Sequence, residues 1–376
     1  MEKCLKTYQV VMRTVGPLFI GSGREINKKE YLFLNGKKQV GIPDIQKLYF
    51  ELSKRRKAEA FEEYLLNKGN LSLTDWLFRQ KINANDLKAL IRYKLDCGDA
   101  VIDKGANRLQ IMECMKDAYG MPYVPGSSLK GMFRTILLGA DIRKSPDKYR
   151  KEKSDMWESA SGSRKSNRNN FLKNEIMGVE GRAFRTLERP KTKPQDAVND
   201  FMQGFIVSDS EPLSTDDLVL CQKIDRHTDG GEKALPLLRE CIKPDTQICF
   251  SITIDTTVCP LSDALIMDAV KCFMTDYYNL FSHFFQGMDV PKTNYVICGG
   301  GSGFVSKTIT YPMYRKEKGV EFAQKVFNCT LPPKINQQHR HDKDKDYGVS
   351  PHTIKCTRYQ GRLLPMGVCK IKISEK

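Results

Sequence analysis

Close cysteine pairs are missing from this chain. Twelve cysteines are present, at Cys4, Cys97, Cys114, Cys221, Cys241, Cys249, Cys259, Cys272, Cys298, Cys329, Cys356 and Cys369. No two are separated by only two or three residues, the pairing that zinc sites show. Many lie in apolar stretches, as Cys249 and Cys369 do, where a free thiol behaves as a small hydrophobe. All twelve read as reduced thiols, and the sequence offers neither a metal site nor a cofactor site. Histidine is scarce as well, with five residues. Only His339-Arg340-His341-Asp342 has close spacing; it adjoins the charged stretch Lys343–Asp346 and reads as a solvated loop. His227, between Asp225 and Asp229, reads as a turn cluster. With no serine, cysteine or carboxylate constellation in view, no catalytic residue is assigned; general acid–base cleavage of RNA would need only a single histidine or aspartate.

Long apolar runs are also missing. None approaches the ~18 residues of a membrane span. The opening MEKCLKTYQVVMRT is broken by charge, so it lacks the apolar core of a secretion signal. The expectation is a cytoplasmic protein without a membrane partner. A nucleotide-binding P-loop is nearly present and fails at its chemistry. Gly126 and Gly131 have its glycine spacing, but Met132 and Phe133 stand where Lys and Ser/Thr are required.

Positive charge is what the chain has in excess. Sixty-one Lys and Arg against 45 Asp and Glu leave a net +16, a balance that suits phosphate neutralisation on a nucleic acid without telling RNA from DNA. A length of 376 residues is enough for two cores.

Residues 119–138, YGMPYVPGSSLKGMFRTILL, carry the most organised pattern. A short strand ends at Pro125-Gly126, Ser127 or Ser128 can cap a following helix, and Leu129, Met132, Phe133, Ile136 and Leu137 give that helix a buried stripe. Lys130 and Arg134 lie beside the helix start, where free amides and the dipole already favour an anion. An ordinary strand–helix junction with two solvated cations explains the same residues. Two further glycine turns share this character. Gly21-Ser22-Gly23-Arg24 follows an early strand, and Gly299-Gly300-Gly301-Ser302-Gly303-Phe304 follows Tyr295–Cys298, with Lys307 just beyond. Both leave backbone amides open to a phosphate, or serve as simple connections.

Around these motifs, residues 45–100 read as a helical insertion and residues 141–170 as a basic flexible insertion. Ile248–Ile254 alternates as a half-buried strand, and Leu261–Phe285 reads as a long amphipathic helix. The expected class is α+β, with two ferredoxin-like domains over residues 1–200 and 201–376.

PYVPGSSLKGMFRT resembles the strand–turn–helix signature of the RAMP superfamily, the RNA-binding subunits of CRISPR–Cas effector complexes, and GGGSGF resembles their glycine-rich loop. TVGPLFIGSGREINKKEYLF, FIVSDSEPL, LPLLRECIKPDTQICFSITID and TRYQGRLLPMGVCKIKI are similar, in order, to the terminal RAMP subunits of type III-A (Csm) complexes. The resemblance implies two RRM-like RAMP domains. It also implies a non-catalytic subunit that caps the 3′ region of the guide RNA (crRNA) beside a backbone RAMP subunit and a small helical subunit. Guide-RNA maturation would then proceed through recruited host nucleases. It carries an RNA-binding role onto Gly21, Ser22, Gly23, Arg24, Ser127, Ser128, Lys130, Arg134, Gly299, Gly300, Gly301, Ser302 and Gly303. The alternative is a RAMP-type endoribonuclease cutting repeat RNA without a metal.

Overall fold

The computed structural model describes residues 4–100, 110–162, 170–288 and 290–376. Two β-sheets organise them. The first has five strands in the order Tyr295–Ile297, Val368–Glu375, Leu5–Thr14, Gln247–Asp255 and Phe205–Val207, with every neighbour antiparallel. Along the chain the elements run strand Leu5–Thr14, helix Gly126–Lys144, strand Phe205–Val207, strand Gln247–Asp255, helix Asp263–Leu280, then the carboxyl-terminal strand. That is the βαββαβ succession of a ferredoxin-like unit. Alternation holds it together: Tyr8, Val10 and Met12 turn inward beside Ile248, Phe250, Ile252 and Ile254. Burying each such side chain contributes roughly 1.5–3 kcal/mol.

The two helices pack against each other. Gly126–Lys144 buries Leu129, Phe133, Ile136 and Leu137, and Phe133 meets Phe205 edge-on at 5.7 Å. Gly139 permits the close approach, since a Cβ there would lie 3.0 Å from Phe273. Asp263–Leu280 is capped by Ser262, whose hydroxyl accepts from the Leu265 amide at 3.3 Å.

The second sheet has nine strands and is mixed. Its centre is the hairpin Leu218–His227 with Glu232–Ile242, and Gly21–Ile26 lies at one edge. A buried ion pair anchors it: Glu240, fully enclosed, accepts from Tyr93 Oη at 2.6 Å and from the Cys114 amide at 3.0 Å, and pairs with Lys116. The architecture is the α+β, tandem ferredoxin-like class. Its strands are interleaved, however. Each sheet draws strands from both sides of residue 200, so the division at 200/201 does not follow the sheets. The amino-terminal strand needs the carboxyl-terminal strand as its neighbour, a pairing that local pattern does not carry.

The helical insertion comprises Ile45–Lys54, Ala58–Leu66 and Leu73–Arg79, packed on a separate small core of Leu48, Leu52, Phe61, Trp76 and Leu77. Asp44 caps the first helix, accepting from the Gln46 and Lys47 amides at 3.1 Å. The insertion ends earlier than expected. Ile91–Asp96 is a strand of the second sheet, in which Tyr93 and Leu95 face inward and Arg92, Lys94 and Asp96 outward; a period of two had been absorbed into the preceding helix.

The basic segment 141–170 also needs correction. Asp141–Lys144 completes the signature helix, and Arg150–Ser161 is a helix. Its apolar stripe is short: Met156 and Ala160 are buried and Trp157 stacks near Phe322. Glu152 is held by Arg182 at 2.6 Å. Residues 163–169, the most basic part, lie outside the described residues.

Candidate nucleic-acid interface

The glycine-rich loop is a built turn rather than a slack connection. Gly299, Gly301 and Gly303 have φ of +78°, +76° and +93°, the left-handed region that glycine enters without steric cost. A Cβ at Gly299 would lie 2.4 Å from the Phe19 carbonyl oxygen. The Gly300 amide donates to that same oxygen at 2.6 Å, which fastens the loop to the entry of the strand Gly21–Ile26. Ser302 is buried and donates to the Gly299 carbonyl at 3.0 Å, and Ser306 donates to the Ser302 carbonyl at 3.2 Å. Ser302 is therefore an internal clasp, not a ligand donor.

This turn closes one side of a cleft of about 330 Å³. Gly21, Ser128, Thr135, Gly300, Ser306 and Lys307 line it, with Gly299 and Gly131. All three glycine motifs of the sequence thus contribute to one concavity. No histidine, aspartate or glutamate lines it among the described residues. Lys307 is exposed and makes no ion pair among the described residues, so its charge is available. The cleft adjoins a second cavity of about 660 Å³ that shares Gly131, Thr135 and Lys307 with it.

Other expected residues lie elsewhere. Neither Ser127 nor Ser128 caps the signature helix; instead Asp209 accepts from the Gly126 amide at 2.7 Å, so the chain's own carboxylate takes part of that anion-favouring end. Arg134 lines the second cavity, but its guanidinium is 2.9 Å from Glu180 and 2.8 Å from Asp200 and lies 4.2 Å over the Phe184 ring. Burial holds the Lys130 ammonium below the usual lysine range, with Asp200 opposing and Arg134 adding to the shift. Gly21-Ser22-Gly23-Arg24 is a bulged strand rather than a free turn. Arg24 pairs with Glu30 at 2.7 Å, and Ser22 donates to Glu113 at 3.4 Å. Of this motif only Gly21 reaches the cleft.

Beneath the loop lies a cation cluster that the motifs did not indicate. A Cβ on Gly301 would sit 2.6 Å from Arg239 Nη1. Arg239 is buried, its Nε and Nη1 have no hydrogen-bond partner among the described residues, and it lies 5.2 Å over the Phe19 ring. Lys355 and Lys223 share the single carboxylate of Asp225 at 3.0 and 3.7 Å. Burial first, and Lys355 second, depress Lys223. An arginine inside the apolar run Leu235–Ile242 was the available signal.

The histidines are likewise not where spacing left them. His341 is buried, stacked on Phe327 at 4.1 Å, not on a solvated loop. His227, His339, His341 and His352 form a chain of ring neighbours at 5.4–5.7 Å. Folding brings these four of the five histidines together from positions up to 125 residues apart.

The sequence profile of the RAMP superfamily matches residues 11–259. The chain belongs to the RAMP superfamily. Within it, similarity runs end to end to the CRISPR system Cms protein Csm5 of Mycobacterium tuberculosis (strain CDC 1551 / Oshkosh), 28% identical over 99% of both chains. The Csm5 of Enterococcus italicus is also 28% identical, over 83% of this chain and 82% of its own. Among solved structures, the fold matches a chain of the cryo-EM Csm–crRNA–target RNA ternary complex of a type III-A CRISPR-Cas system. That match has a TM-score of 0.61 at 18% identity and covers 97% of this chain and 100% of that one. It also matches the crystal structure of T. onnurineus Csm5, with a TM-score of 0.61 at 17% identity over 96% and 99%.

Proposed function

We propose that this chain is the terminal RAMP subunit of a type III-A CRISPR effector complex in the cytoplasm, and that it grips the 3′ region of the guide RNA without cutting it. The observation that carries this reading is the convergence of Gly21, Ser128, Gly299, Gly300 and Lys307 on one cleft that no carboxylate lines among the described residues. An uncommitted ammonium in a cleft walled by glycine backbone recognises phosphate, not base edges, which suits a subunit that must hold any guide sequence. The backbone RAMP subunit and the small helical subunit are its neighbours in this account, and host nucleases trim the exposed RNA end. The endoribonuclease alternative gains nothing from the cleft, because no histidine, aspartate or glutamate lines it among the described residues. Tagging the subunit in its native cell, purifying gently and sequencing the associated RNA tests the proposal. Guide RNAs of discrete length with a repeat-derived 5′ tag are expected; random RNA or none contradicts it.

A further inference from the structure

Asp344 is fully enclosed, and its carboxylate faces three donors. His341 Nδ1 lies 3.0 Å from Oδ2, His352 Nδ1 contacts Oδ1, and the Ser350 hydroxyl contacts Oδ2. Among the described residues its ionic partners are these two imidazoles, which carry charge only when protonated. A buried carboxylate needs a compensating cation. A proton on one imidazole supplies one; a metal ion shared by all three side chains supplies a stronger one.

The geometry admits the second. One ligand atom from each of His341, Asp344 and His352 lies within 4.8 Å of the other two. Tetrahedral zinc with bonds of 2.0–2.1 Å to nitrogen and oxygen brings its ligand atoms to about 3.3 Å from one another. An ion bound there would replace the direct imidazole–carboxylate hydrogen bonds and gather the three ligand atoms around itself. Phe327 stacks on His341 at 4.1 Å and Tyr347 flanks His352 at 5.3 Å, so the site has aromatic walls. Its two outer neighbours are more open: His339 is exposed and His227 half-buried, which gives an ion a way in.

We propose that His341, Asp344 and His352 form a three-residue binding site for a divalent ion of the zinc class. The ion would fasten residues 341–352 ahead of the strand Thr353–Tyr359. Lys355 of that strand packs against the glycine-rich loop at Gly303, so the site braces the loop from behind. The inference does not depend on the RNA reading.

The test uses the untagged full-length chain purified without chelator. Elemental analysis should find about one zinc per chain. Cobalt(II) added to protein stripped with EDTA should give the visible absorption of a tetrahedral site, and zinc should raise the melting temperature by several degrees. His341→Gln and His352→Gln should each cut bound metal at least tenfold with an unchanged circular dichroism spectrum. Metal retained by both variants places the ion elsewhere and overturns the proposal. If the variants do not fold, the wild type decides alone. A wild type that carries no zinc and gives no cobalt spectrum leaves a plain histidine–aspartate pair, and the proposal fails.

Discussion

The Gly300 amide and the Phe19 carbonyl meet at 2.6 Å, joining a loop of the carboxyl-terminal half to a segment near the amino terminus. At Gly299, one residue before that bond, φ is +78° and an added Cβ would press on the same carbonyl. Gly299→Ala should therefore cost roughly 1–3 kcal/mol and release guide RNA as the loop shifts. Thermal melting and RNA retention on the purified complex check both effects. A variant with wild-type melting and full RNA retention contradicts the role given to the loop.

Arg134 and Lys307 should behave as opposites. Arg134 is held by Glu180, Asp200 and Phe184, so Arg134→Ala should lower stability by about 1–3 kcal/mol with little change in the salt dependence of RNA binding. Lys307→Ala should leave stability within about 0.5 kcal/mol and lower the salt slope by about 1. Denaturant titration beside binding measured at several salt concentrations separates them. If Arg134→Ala moves the slope and Lys307→Ala does not, the assignment is reversed.

Much of this was legible in the sequence, and the failures have physical causes. The signature helix, the Asp44 cap and the alternating strand around Phe250 are local patterns, and local physics decides them. Arg134 was read as a free cation because its partners Glu180 and Asp200 lie 46 and 66 residues away. The interleaved sheets and the histidine group depend on contacts between distant segments. Ser127 and Ser128 are sound caps by type, yet Asp209 reaches the first amide from another strand's end.

Glu240→Gln should be among the more damaging single changes outside the cleft. It leaves Lys116, buried beside the Tyr93 ring at 4.8 Å, with Glu113 at 3.5 Å as its remaining anion, a loss of roughly 1–3 kcal/mol. An unchanged denaturation midpoint would show that the pair contributes nothing net.

Alkaline pH should unfold the protein through its thiols. Burial pushes Cys97, Cys114 and Cys356 up to about 12 and Cys298 up to about 11, all above the unfolded thiol value of roughly 8.5–9. The folded values are raised, so this stability is complete below the unfolded value and falls as pH climbs from about 9 towards 12. Nine of the twelve cysteines are buried; a thiol reagent at neutral pH should label Cys4 first and those nine only after denaturation. Rapid native labelling of Cys298 or Cys356 would contradict the packing.

Photo-crosslinking the intact effector, then identifying the joined peptides and nucleotides, tests the central claim most directly. Peptides spanning Gly299–Lys307 or Ser128–Thr135 joined to the 3′ region of the guide RNA are the expected result. Crosslinks confined to other faces of this subunit, with the cleft peptides recovered unmodified, would contradict it.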